Sequence, residues 1–272
     1  MEKLDLKQTQ SISLDILKYI TDLADDMGLK YSLAWGTLIG AVRHNGFIPW
    51  DDDIDILMPR RDYIMLLSKL KNLEHPKYKL YSIYNKDCYY YSVSRIVDTT
   101  TIILGEKKTI PSQCDCGVFV DIYPLDYMGN SIENAVSFFK TQSRLELLKY
   151  MALSPFQKSC SGIIHSIIKS PVFVYTKIRG YRYFEKKAEQ RCERNVESKL
   201  VGCWVGNGGM KAEKLIFDTK CFEKLVLHKF EEYEFYIPED YDTVLSNVYG
   251  DYMQFPPIEE QVGHHEYEAF RI

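Results

Sequence analysis

Long apolar runs are missing from this 272-residue chain. No stretch approaches the roughly 18 uninterrupted apolar residues of a membrane helix, so no span is predicted. The first twenty residues, MEKLDLKQTQSISLDILKYI, mix charges throughout and lack a signal-peptide block. A disulfide framework is absent as well: the cysteines number seven, an odd count, and only Cys114 and Cys116 lie close together. An excess of basic charge is also lacking, since 34 Lys and Arg face 38 Asp and Glu, a net of -4; no nucleic-acid partner is expected. With 10 Pro, 15 Gly and 46% hydrophobic residues, the chain is neither disordered nor collagen-like. Internal repeats and low-complexity linkers are missing too. The expectation is a soluble globular protein of a reducing, cytoplasmic compartment, built as one elaborated domain or two small ones.

What is present alternates between helical and strand patterns. Ile12, Ile16, Leu17, Ile20, Leu23, Ala24 and Met27 recur at spacings of three and four and predict one apolar helix face, stopped at Gly28. Lys30–Trp35 reads as a short strand, and Leu38–Val42 as a helical turn or more. A polar loop, Arg43–Trp50, then leads to a second strand at Ile54–Leu57. Pro59 opens a helix in which Tyr63, Leu66, Leu67 and Leu70 share a face. The Tyr-, Ile-, Val- and Thr-rich segment Tyr78–Leu104 predicts strands, and Gly117–Tyr123 another, closed by Pro124. Helical patterns cover Ser131 to about Leu153 and Ile163 to about Leu200. A glycine-rich turn at 206–209 and a helix at Tyr241–Tyr249 follow. The sum is an α/β or α+β core with a helical extension.

Chemistry concentrates in WGTLIGAVRHNGFIPWDDDIDILMPRRDY, residues 35–63. Four of the five positions from Asp51 to Asp55 are aspartates, and they run straight into Ile56-Leu57-Met58. Like charges beside a core element are costly unless protons or a cation compensate. A solvated acidic loop is the plain alternative, but the flanking residues have strand character. In a strand, Asp53 and Asp55 project from one face, spaced to share a hard divalent cation. Oxygen-only ligation favours Mg²⁺ or Mn²⁺ over zinc. Asp121, alone inside the apolar strand Phe119-Val120-Asp121-Ile122-Tyr123, offers a third carboxylate unless that strand is an edge with Asp121 in water. Three aspartates from two adjacent strands hold two ions roughly 4 Å apart in phosphoryl transfer. Gly36-Thr37, between a strand and a helix, suits close approach of a phosphate. A Gly-Thr turn, then Asp-Ile-Asp, then a distant apolar-Asp-apolar strand resembles the order found in the nucleotidyltransferase superfamily.

The same block, WGTLIGAVRHNGFIPWDDDIDILMPR, resembles the signature of the LicD family of phosphotransferases. FVDIYPLD (119–126) and VYGDYMQFPP (248–257), with His264 and His265, are similar to that family's later blocks. The resemblance implies a nucleotidyltransferase-like mixed sheet flanked by helices. Residues 1–130 would form the catalytic core, and 131–272 a mostly helical extension completing it on the acceptor side. It implies phosphocholine transfer from CDP-choline, or a related CDP-alcohol, to a sugar hydroxyl of a bacterial glycopolymer precursor, releasing CMP. The acceptor would be of teichoic acid or lipopolysaccharide type and lipid-linked.

On that reading Asp53, Asp55 and Asp121 ligate two Mg²⁺ or Mn²⁺ ions, and Asp121 takes the proton of the acceptor hydroxyl. Asp51 and Asp52 either support the site or are solvated. Arg43 and His44 lie within reach of phosphate oxygens, a plain surface ion pair being the alternative for Arg43. Arg95 needs an anion, either phosphate or Asp98. A quaternary ammonium calls for aromatic faces, and Trp35, Trp50, Tyr89, Tyr90, Tyr91 and Tyr123 are nearby in sequence, Trp50 foremost. His264 and His265 either touch substrate or are solvated. Cys114-Asp115-Cys116 with Cys88 is a poor zinc pattern. Residues 158–194 hold nine Lys or Arg and three Glu, net +6. They either meet an anionic membrane at the inner face of the cell membrane or form the solvated face of a core helix pair. No Ser, Cys or His stands with its own base, so attack is direct and in line. Two other readings remain: transfer of NMP with release of pyrophosphate, and a non-catalytic metal- or choline-binding module.

Overall fold

A computed structural model describes residues 1–105, 114–155, 163–194, 196–206, 209–263 and 267–272, with the side chains of 163–170 excluded. Its strands are β1 (Glu2–Lys3), β2 (Ser32–Leu33), β3 (Asp55–Pro59), β4 (Tyr78–Tyr81), β5 (Ser94–Asp98), β6 (Thr101–Leu104), β7 (Phe119–Gly129), β8 (Leu200–Gly202), β9 (Ile216–Asp218), β10 (Leu225–Phe230), β11 (Tyr233–Pro238) and β12 (Glu268–Arg271). Its α-helices are α1 (Leu6–Asp26), α2 (Trp35–His44), α3 (Arg60–Lys71), α4 (Ile132–Leu153), α5 (Ile163–Arg179), α6 (Tyr181–Arg194) and α7 (Tyr241–Tyr249). Helices and mixed sheets make this an α/β fold. Among the described residues no helix is long and apolar enough to cross a membrane. The chain divides into two compact units, one of residues 1–105, 114–125 and 217–272 as described, the other built on 126–216.

The first unit is organised by a sheet in the order β2-β3-β7-β5-β4. Only β3 and β7 run parallel; the other pairings are antiparallel. Both central strands are buried on two faces, so their sequences, ILM and FVDI, read as continuous apolar runs broken only by aspartate. The face predicted for α1 packs inward through Ile12, Ile16, Leu17, Ile20 and Ala24. The helix starts earlier than its apolar periodicity, at a capping box of Asp5 and Gln8 that satisfies two otherwise orphaned amides. Gly28, at φ +65°, ends it as expected. Tyr63, Leu66, Leu67 and Leu70 of α3 are all buried. Residues 217–272 return to this unit: β12 lies between β1 and β6, and the Glu231 amide bonds the Asn45 carbonyl at 2.8 Å.

Three expectations are corrected. Pro124 does not close its strand, because β7 runs on to Gly129. The Asp121 amide bonds Ile54 on the β3 side, so alternation turns position 124 toward β5, whose pairing has already ended at Ile122. The helical pattern from Ile163 ends short of Leu200: Gly180, at φ +73°, separates α5 from α6, which stops at Arg194, and Leu200 opens β8. Finally, β3 begins at Asp55 rather than Ile54, which leaves Asp53 in the preceding loop, outside strand alternation.

The second unit joins α4, α5 and α6 to β8, which pairs antiparallel with the end of β7. Ser131 caps α4 by accepting from the Asn134 amide. A buried polar link fixes the strand ends: Trp204 Nε1 donates to Asp126 Oδ2 at 2.8 Å, both residues being almost wholly covered. Trp204→Phe keeps the ring's bulk but deprives a buried carboxylate of this donor. It should lower stability by about 1–3 kcal/mol in thermal or denaturant unfolding, and an unchanged midpoint would show that the bond contributes nothing.

Candidate active site

The parallel register of β3 and β7 sets Asp55 directly beside Asp121, and the antiparallel register of β7 and β5 sets Asp121 beside Arg95. Register partners project from the same face of a sheet, so the three side chains form one row across three strands. Arg95 Nε donates to Asp121 Oδ1 at 2.7 Å and Nη2 to Oδ2 at 3.3 Å. The guanidinium also lies over the Phe119 ring, 3.7 Å from its centroid, and over Tyr91 at 4.9 Å. Arg95 therefore takes its anion from Asp121. The other candidate, Asp98, is paired with Lys77 Nζ at 3.1 Å.

The aspartate loop packs against this row. Carboxylate oxygens of Asp51, Asp52 and Asp53 come within 4.8 Å of one another. Asp51 is buried, and a Cβ added to Gly36 would stand 2.8 Å from Asp51 Oδ2. Glycine at 36 thus admits the acid to the start of α2, where helix amides favour negative charge. Thr37, also buried, accepts the Asp55 amide on its Oγ1 at 2.9 Å. The Gly-Thr pair therefore fits the aspartates together from behind, Gly36 by its missing side chain and Thr37 by its hydroxyl. Gln10 Nε2 adds a bond to the Asp51 carbonyl at 2.8 Å. Trp35, which opens α2, is held at φ +48°, a strained value for a bulky residue of the kind that clusters at functional sites.

Crowding perturbs the acids. Burial, then the charges of Asp53 and Asp52, push the Asp51 carboxyl up to about 8. Asp55 is raised well above the usual carboxylate range, by burial first and then by Asp53, Asp121 and Asp51, while Arg95 pulls it down. Asp53, Asp55 and Asp121 are thus electrostatic neighbours, and Asp51, left open by the sequence, joins them. Asp55 Oδ1 is buried with no hydrogen-bond partner. An orphaned carboxylate oxygen among further carboxylates is a donor set for a hard divalent cation, and the residues fit Mg²⁺ or Mn²⁺.

Arg43 and His44 stand on the last turn of α2 and engage the chain's later segment. Arg43 Nη1 donates to the Tyr252 carbonyl at 2.8 Å and the Gln254 carbonyl at 3.3 Å, and the guanidinium lies 4.6 Å from the Phe255 ring centroid. His44 accepts from Arg43 Nε at 3.0 Å and meets Phe255 edge-on. Trp50, half-buried, is tilted against the same Phe255 at 6.4 Å, while Trp35 pairs with Tyr123 at 6.1 Å. Two tyrosines that sequence reading passed over also face the acids. Tyr249 is raised by burial of its phenol and then by Asp55, Asp51 and Asp53. Tyr267 is raised by burial and then by Asp52 and Asp53. The VYGDY block was the available signal for Tyr249; nothing local marks Tyr267. His264 and His265 lie outside the described residues. Cys114 turns its thiol to the Cys88 carbonyl at 3.3 Å. Among the described residues the one three-member ligand group is Asp51, Asp52 and Asp53; no cysteine belongs to it, nor do Asp55 and Asp121.

A mixed sheet with a Gly-Thr pair in the first turn of α2, an aspartate loop and a third aspartate on the neighbouring parallel strand defines a nucleotidyltransferase-like domain. Residues 28–160 match the family model described as LicD/FKTN/FKRP, nucleotidyltransferase domain. Over 277 aligned residues, 99% of both chains, the sequence is 29% identical to the lipopolysaccharide cholinephosphotransferase LicD of Haemophilus influenzae. An uncharacterized protein of Rickettsia prowazekii is 35% identical over 94 residues, 32% of this chain and 35% of its own length. Mouse ribitol 5-phosphate transferase FKRP is 41% identical over 39 residues, 14% of this chain and 8% of its own. Residues 28–160 are thus a domain of the LicD type.

A carboxyl that holds its proton more tightly folded than unfolded stabilises the fold below its ordinary range near 3.8, and that contribution is lost as pH rises through about 8 for Asp51. Without divalent cations the melting temperature should therefore fall between about pH 4 and about pH 8. Mg²⁺ or Mn²⁺ should restore it at the upper end, and Asp51→Asn should flatten the slope. A melting temperature indifferent to both pH and cation contradicts this account of the cluster.

Proposed function

We propose that the protein is a metal-dependent phosphocholine transferase. It moves phosphocholine from CDP-choline to a sugar hydroxyl of a bacterial glycopolymer precursor, of lipopolysaccharide or teichoic acid type and lipid-linked, and releases CMP. The observation that carries this reading is the buried, unpartnered Asp55 Oδ1 beside Asp121, within a domain of LicD type. The full-length similarity to a lipopolysaccharide cholinephosphotransferase supports phosphocholine as the transferred group and a surface glycan as its destination. A nucleotide donor places the reaction on the cytoplasmic side.

Asp53, Asp55 and Asp121, joined by Asp51, would hold one or two Mg²⁺ or Mn²⁺ ions. These ions supply neutralisation of the donor diphosphate and of the charge that develops on departing CMP. The chain's own contributions follow from its contacts. Thr37 holds the Asp55 backbone, and Gly36 leaves room for Asp51. Arg95 takes one lone-pair direction on each Asp121 oxygen and fixes the plane of that carboxylate, which keeps a second direction on each oxygen. Asp121 accepts the acceptor hydroxyl's proton as the oxygen forms its bond to phosphorus and the bond from phosphorus to the CMP oxygen breaks. No covalent enzyme intermediate is formed. Half-buried Trp50, tilted against Phe255, is the ring that receives the trimethylammonium group, since the Phe255 ring is already engaged by Arg43.

Purified protein incubated with Mg²⁺ and a panel of CDP-alcohols, with products separated chromatographically, tests the reading. CDP-choline should be cleaved, even slowly in the absence of acceptor, to give CMP. Asp55→Asn and Asp121→Asn should each lower kcat by at least about 100-fold. Trp50→Ala should raise KM for CDP-choline more than it lowers kcat. Release of pyrophosphate from a nucleoside triphosphate instead would make the protein an NMP transferase. Turnover that survives Asp55→Asn would remove the cluster from the chemistry.

A further inference from the structure

The second unit carries a surface that the proposed chemistry does not use. Between residues 147 and 184 the chain has six Lys or Arg and no Asp or Glu, although acids otherwise recur about once every six residues. Helix α5 lies in this stretch and is apolar on more than one side. Phe173 and Thr176 are buried, and Lys177 Nζ ties the helix to the end of α4 by donating to the carbonyls of Ala152 at 2.7 Å and Ser154 at 2.8 Å. At 100° per residue, Val174, Ile178, Tyr175, Arg179 and Val172 follow one another around the opposite side in an arc of about 160°. All are exposed, Ile178 by 78%. Arg179 lies beside two aromatic rings, 5.6 Å from the Tyr175 centroid and 4.9 Å from that of Tyr183. Contiguous exposed apolar side chains bordered by cations and aromatic rings are the composition of a helix that rests in a membrane interface.

We propose that this face of α5 docks the protein on an anionic lipid bilayer. Val172, Val174 and Ile178 enter the acyl boundary, and Arg179 with the surrounding cations meets lipid phosphates. The absence of any acid over 38 residues favours a negatively charged surface over a second copy of this chain, whose own face here is equally cationic. The inference rests on the residues of α5 and stands whether or not the donor is CDP-choline.

Flotation of the full chain with phosphatidylglycerol vesicles, and separately with phosphatidylcholine vesicles, tests it. Binding to the anionic vesicles is expected, with little to the zwitterionic ones. Val174→Asp with Ile178→Asp should cut the bound fraction at least tenfold, while donor cleavage in solution and the circular dichroism spectrum stay as in the parent. Arg179→Glu should weaken binding and reduce its dependence on salt. Equal binding of parent and variant, or no flotation with anionic lipid, overturns the proposal. So does a dimer, seen by light scattering, that Ile178→Asp dissociates. Failure of donor cleavage alone would count against the function proposed above and not against this surface.

Discussion

Charge without water is the constraint on which the first unit is built. Asp55 and Asp121 stand side by side at the start of two buried parallel strands, with Asp53 and Asp51 close enough to raise Asp55 further. Such a grouping is expensive to fold, and the structure meets the cost with few compensations. Arg95 balances one carboxylate through a two-pronged bond. Asp51 and Asp55 hold their protons more tightly than an ordinary carboxyl, or are served by a cation. A site of this kind cannot relax by moving apart, because β-sheet register holds two of its members and a tight loop holds the others.

Much of the surrounding architecture enforces that proximity. Gly36 has no side chain because Asp51 fills the space one would need, and Thr37 spends its hydroxyl on the Asp55 amide. Arg43 and His44, at the far end of the same short helix, hold residues 252–255, and Tyr267 reaches the Asp52 carbonyl at 3.3 Å. Helix α2 therefore links the acids at one end to the returning part of the chain at the other. Its strained first residue, Trp35, is consistent with a segment positioned by its neighbours rather than by its own preference.

The elements were legible where one physical signal dominated. Helix α1 and helix α3 follow from the spacing of Ile12, Ile16, Ile20 and of Tyr63, Leu66, Leu70, because burial of one face outweighs propensity. Helix α7 matches its sequence limits. Expectation went astray where tertiary pairing decided the outcome. Pro124 continues a strand because its missing N–H faces a position that β5 does not reach. Asp53 was placed by alternation in a strand that begins two residues later. Arg95 was assigned phosphate or Asp98, but its partner lies 26 residues away in sequence, across a strand pair.

By itself, then, the sequence determined which groups carry the chemistry and in what order: a Gly-Thr turn, a dense aspartate block, a lone aspartate in an apolar run. Those are local facts, set by residue type and by the cost of placing carboxylates next to core residues. Only the tertiary structure decided which carboxylates meet, that Arg95 rather than a ligand balances Asp121, and that tyrosines from the last 25 residues face the acids. Register and chain return set distances between residues far apart in the chain, and no local pattern encodes them.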